Sequence, residues 1–168
     1  MTLLGAALAA VAVSALTVQA ATGSRAGTPT CSGAQLKAKM LDSNGAAGTI
    51  LFSLTLQNMG SVCALKGYPA LGIANDSGML PSRTVKGGLP FKTAAPKQVS
   101  LAHMAKASVL ISYEDVPVGG ETGCPVGNAL LLRTPGAWQW LTIKAYTQAC
   151  GKGTLHTSPV LAGVHSSQ

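Results

Sequence analysis

Charge is scarce in this chain, and acid is the scarcer sign. Asp, Glu, Lys and Arg make up only 10% of it, with five acids against twelve bases. Its surface must therefore be covered by Ser, Thr, Gly, Asn and Gln, which suits an exported protein. Several motifs are missing as well. There is no Gly-x-Ser-x-Gly, so the nucleophile elbow of many hydrolases is excluded. No Gly-x-Gly-x-x-Gly or phosphate loop follows a strand, which removes the common nucleotide cradles. The four cysteines include no Cys-x-x-Cys, so the usual zinc spacing is absent. Beyond the N-terminal apolar segment no stretch keeps a 3.6-residue apolar period, which excludes a helical domain.

Charge is also missing from residues 3–18, a run of apolar and small residues. Val18, Gln19 and Ala20 then put small residues where a signal peptidase cuts. A secretory signal over residues 1–20 is expected. No Lys or Arg precedes the run, and retention as an N-terminal membrane anchor is the alternative. The run is short for a span, which needs roughly 20 residues. Lipid attachment at Cys31 is disfavoured by Pro29 just before it. Residues 21–30 read as a small-residue linker. About 148 residues follow the signal, enough for one domain with a real core.

Period-two alternation dominates that domain. Leu36, Ala38 and Met40 alternate with Lys37 and Lys39; Ile50, Phe52, Leu54 and Leu56 alternate with Leu51, Ser53, Thr55 and Gln57. An Asn44-Gly45 turn is expected between them. Residues 70–74 and 79–85 read as a second hairpin about Asn75-Asp76-Ser77-Gly78. Residues 98–103 and 107–113 read as two further strands. Residues 128–133 and 138–146 form a closing hairpin about Thr134-Pro135-Gly136, with Leu141, Ile143 and Ala145 on one face and Trp138, Trp140, Thr142 and Lys144 on the other. A short strand within 154–161 and a loose tail over 162–168 complete the chain. Eight or nine short strands with regular turns mean an all-β, antiparallel, immunoglobulin-like sandwich over residues 31–161.

Four cysteines allow three pairings. Residues equidistant from a hairpin turn face each other. Cys31 and Cys63 are centred on residue 47, beside the 43–48 turn region; Cys124 and Cys150 are centred on residue 137, beside Pro135-Gly136. Hairpin symmetry favours Cys31–Cys63 and Cys124–Cys150, both structural, in an oxidising compartment.

The remaining candidates for chemistry are thin. His103, His156 and His165 show no metal-binding spacing, and neither a metal nor a cofactor is expected. Glu114, Asp115 and Glu121 cluster in one loop region, where solvated acids are the expected reading. Trp138 and Trp140 stack on a sugar or peptide if exposed, and fill the core if buried; burial is the commoner fate of Trp. The one binding surface the sequence marks is the loop over residues 86–97. Lys86, Lys92 and Lys97 stand there without an acid, with Leu89 and Phe91 interleaved. Lys86, Phe91, Lys92 and Lys97 are therefore the candidate ligand-binding residues. The net charge of +7 points to an anionic partner. That partner is a cell-envelope polymer, lipid headgroups or an envelope protein, rather than a specific nucleic acid.

Cys31, the strand end Leu54-Thr55-Leu56-Gln57-Asn58, and Cys63-Ala64-Leu65-Lys66-Gly67-Tyr68-Pro69 resemble an exported domain of unknown function, family 4232. Cys124-Pro125 and Ala149-Cys150-Gly151-Lys152-Gly153 are similar to it too. Residues 101–106 depart from it, where the family more often has a Pro-Gly-like turn. The resemblance implies a secreted or envelope-associated β-sandwich, common in actinobacteria, and implies no catalytic residue. The expected function is a noncatalytic binding or structural module; a secreted hydrolase is the alternative.

Overall fold

The computed structural model describes residues 27–167 apart from Leu89 and Lys92. The expected signal over 1–20, the first part of the linker and the candidate Lys92 lie outside the described residues. Two sheets face each other across one core. The first takes the order β1 (Leu36–Ala46), β2 (Thr49–Asn58), β8 (Lys106–Glu114), β11 (Thr154–Thr157), β6 (Arg83–Lys86), with β12 (Leu161–Ala162) also on β8. The second takes the order β10 (Leu141–Gln148), β9 (Val126–Arg133), β4 (Ala70–Asn75), β5 (Gly78–Leu80). A small pair, β3 (Cys63–Leu65) with β7 (Val99–Leu101), closes one end. The pairings are antiparallel except β6 with β11, which run parallel. The antiparallel sandwich with two disulfides is thus the observed fold.

Alternation in the sequence becomes burial in the sheets. Phe52, Leu54 and Leu56 of β2 and Val109 and Ile111 of β8 meet Ile73, Leu130 and Leu132 of the second sheet. Thr84 of β6 clasps the sheets together: its hydroxyl accepts from Leu71 N at 2.7 Å and donates to Leu71 O at 3.2 Å.

Four local expectations need correction. The first turn is Ala47-Gly48, at φ 51° and 82°, and Asn44-Gly45 lies inside β1. Met40 faces Leu54 but Asp42 faces Ser53, so Leu41 is an extra residue. That bulge leaves two residues for the turn, the length a tight hairpin favours. The strand expected over 79–85 splits at Pro81: β5 stays in the second sheet and β6 crosses to the first. The closing hairpin has a longer loop than expected, because β10 begins at Leu141 and Trp138 and Trp140 precede it. The tail is docked rather than loose. Asp42 accepts from Ser167 N at 3.0 and 3.2 Å, Ser108 Oγ accepts from His165 N at 3.2 Å, and Ser53 Oγ donates to His165 O. This is why Ser53 and Ser108, on the outer face of the first sheet, are fully buried.

Candidate functional site

The basic loop is anchored at Gly87, at Gly88 with Phe91, and at Ala94. Gly87 N donates to Thr157 O at 2.8 Å, and His156 Nδ1 donates to Gly87 O at 3.0 Å. Gly88 and Phe91 form an isolated antiparallel bridge. Farther on, the Tyr68 hydroxyl donates to Ala94 O at 2.8 Å and accepts from Ala94 N at 3.0 Å. Tyr68 thus fastens the loop. Lys86 and Lys97 are exposed on this held backbone, and Phe91 is half-buried. Pro90 reaches over the first hairpin and lines a mostly apolar groove of about 350 Å³ with Asn44, Gly45, Ala46, Thr49 and Leu51. Glu114 also lines it, accepting from Thr49 Oγ1 at 3.0 and 3.1 Å.

The acids do not act as a set. Glu121 accepts from Gly151 N at 2.8 Å and Lys152 N at 2.7 Å, where Gly151 and Lys152 adopt left-handed backbone. Those two amides, Lys152 first, lower its carboxyl below the usual range. Glu121 sits close to Cys124 and Cys150, the one metal-like grouping among the described residues. Both sulfurs are committed to a disulfide and offer no thiolate to a metal. The three histidines are likewise occupied separately: His103 donates to Gly60 O and His165 to Ala162 O.

The tryptophans are where the sequence reading was least decisive. Trp138 is 81% exposed, which overturns the expectation of a core or sheet-face side chain. Its segment is nevertheless tightly seated. Ala137 N donates to Thr134 O at 3.1 Å, and Gln139 lies so close to Gly33 that a Cβ there would sit 2.9 Å from Gln139 Cβ. Trp140 carries the Arg133 guanidinium 4.9 Å from its ring centroid, an attraction of about 0.5–1 kcal/mol at an exposed site. Both tryptophans line a shallow groove of about 400 Å³ with Gly33, Ala34, Gln139 and Leu141.

Charge is distributed unevenly along the strands. Glu114 ends β8, Asp115 and Glu121 follow it, and Asp76 sits in the β4–β5 turn, all at the end away from Cys31–Cys63. Asp42 is midway along β1. Lys37, opposite Gln57, and Lys106, also opposite Gln57, lie at the Cys31–Cys63 end with Lys66 and Arg133. That pole holds cations and none of the five acids.

Among known families, the one described as "Domain of unknown function (DUF4232)" matches residues 31–161, and the chain belongs to that family. No curated protein and no solved structure matches.

Proposed function

We propose that this member of the family is an exported, noncatalytic binding module of the cell envelope, and that its basic loop meets an anionic surface. The observation that carries the reading is the loop's anchorage. Hydrogen bonds with Tyr68, His156 and Thr157 hold the backbone at Gly87 and Ala94, and Lys86 and Lys97 stand exposed beside these anchored points. A long loop on a rigid sandwich is a common seat of function, and a held loop loses little entropy on binding. Export is supported by the two disulfides, which persist in oxidising compartments. Mass spectrometry of protein recovered outside the cytoplasm should find an N-terminus at or near Ala21; an intact Met1 in the membrane fraction would indicate an anchor instead.

The binding test uses vesicles containing phosphatidylglycerol, beside a soluble polyphosphate. Association should weaken steadily with salt. The triple variant Lys86→Gln, Lys92→Gln, Lys97→Gln should lose roughly a hundredfold in vesicle affinity, at about 1 kcal/mol per lysine near an anionic surface. Loss toward vesicles alone identifies headgroups, and loss toward both probes identifies a general phosphate surface. A triple variant that binds both as well as the parent removes the loop from consideration.

A further inference from the structure

The geometry points to a second binding site, at the Trp138–Trp140 groove, for an acidic glycan: a chain of pyranose rings bearing carboxylate or phosphate groups. It uses none of the lysines of the basic loop. Three observations converge. An indole that is 81% exposed sits on a segment that is itself packed against Gly33 and closed by the Thr134–Ala137 hydrogen bond. Trp is highly buried on average, so an indole held out on firm backbone is an unpartnered surface rather than a frayed one. A second indole follows two residues later and is held in place by Arg133. The groove that both indoles line is shallow and about 400 Å³ in volume.

Flat aromatic rings favour a partner with an apolar, C–H-rich face and polar edges, which is the shape of a pyranose ring. Gln139 in the groove wall supplies an amide with both donor and acceptor. Acidity of the glycan follows from charge complementarity. Arg133 stands over one ring, Lys66 lines the neighbouring hollow with Pro135 and Gly136, and Lys37 and Lys106 lie at the same pole. All five acids of the chain are elsewhere. An acidic chain meets no repulsion there, and a cationic peptide would.

Trp138 and Trp140 are the only tryptophans in the chain, so intrinsic fluorescence reports this groove directly. The probes are hexagalacturonate, neutral maltohexaose, poly-glutamate and phosphatidylglycerol vesicles, titrated into the disulfide-bonded protein. Hexagalacturonate should perturb the fluorescence saturably and bind roughly tenfold or more tightly than maltohexaose. Trp138→Ala should cost roughly tenfold or more in that affinity, as truncating an aromatic anchor does, and Trp138→Phe should recover part of it. The thermal midpoint of Trp138→Ala should match the parent, because the side chain packs on little. Trp138→Ala should lose affinity for hexagalacturonate while its association with the vesicles stays that of the parent, which separates this site from the loop. Binding of Trp138→Ala within twofold of the parent would overturn the assignment. So would poly-glutamate or the vesicles matching hexagalacturonate with the same dependence on Trp138, since the groove would then serve an acidic peptide or a membrane.

Discussion

Replacing Asn58 with Ala should destabilise the domain by about 3 kcal/mol, roughly 10 °C in melting temperature. Asn58 ends β2 fully buried. Its Nδ2 donates to Ser61 O at 2.8 Å, Leu101 O at 2.9 Å and Ala102 O at 3.2 Å. Its Oδ1 accepts from Gly60 N at 2.9 Å and from Gln35 Nε2 at 3.0 Å. One amide therefore ties the turn before β1, the turn after β2 and the end of β7. Removing it strands buried donors and acceptors, and each lost bond of this kind costs about 1 kcal/mol, more where a partner stays buried and unpaired. Asn58→Asp makes the argument sharper. At neutral pH a carboxylate would face three carbonyl oxygens it cannot donate to, so it should be at least as damaging as Ala. Urea unfolding with the disulfides intact measures both. An Ala variant within 1 kcal/mol of the parent would mean that water satisfies these groups and the amide is not a structural knot.

Asn58 also shows what was legible in the sequence and what was not. It stood in the strand-end run that resembles the family, but nothing local marked it as buried. Its partners come from residues 35, 60–61 and 101–102, which only the fold brings together. Hairpin symmetry, by contrast, is a local property and was readable. Leu36 faces Asn58 and Cys31 bonds Cys63, and both pairs sum to 94 (36 + 58, 31 + 63). Gly127 faces Thr147 and Cys124 bonds Cys150, and both pairs sum to 274 (127 + 147, 124 + 150). The first turn was misplaced because Asn44-Gly45 carries the stronger local turn signal, while the ladder runs on through both residues to Ala46 opposite Thr49; in the second hairpin Pro135-Gly136 do turn, but pairing stops at Leu132 and Leu141, which lengthens the loop. Trp138 fitted the strand alternation in sequence, yet β9 ends at Arg133 and pairing resumes only at Leu141, so its ring was freed from the sheet. The docked tail was illegible for a different reason. Its side-chain anchors are serines, one asparagine and one aspartate, residues as common on an open surface as under a covering strand. Of the basic loop, the charges were readable and the anchors were not, since Tyr68 and His156 lie far from it in sequence.

Loss of both disulfides together should bring the domain to the edge of unfolding at room temperature, while loss of either alone should leave it folded. The bonds span 32 and 26 residues. Loops of that size restrict the unfolded chain by about 3.5 kcal/mol each in the chain-entropy account. The two loops do not overlap in sequence, so their effects should add, to about 7 kcal/mol. A domain of ordinary stability holds only about 5–15 kcal/mol in all. The two bonds should differ in how they are lost. Cys31 and Cys63 are buried within the hydrophobic core, whereas Cys124 is half-exposed in the loop before β9. A reductant in native buffer should therefore open Cys124–Cys150 first and reach Cys31–Cys63 only as the domain unfolds. The paired variant Cys31→Ala, Cys63→Ala should also be the less stable of the two, because it removes two fully buried sulfurs where the other pair removes one, at Cys150. Timed alkylation followed by peptide mapping reads the order of reduction, and urea unfolding of the paired variants reads the energies. Simultaneous loss of both bonds would show that burial does not set the order of reduction, and a fully reduced protein that melts with the oxidised one would show that the sandwich core holds the fold without its crosslinks.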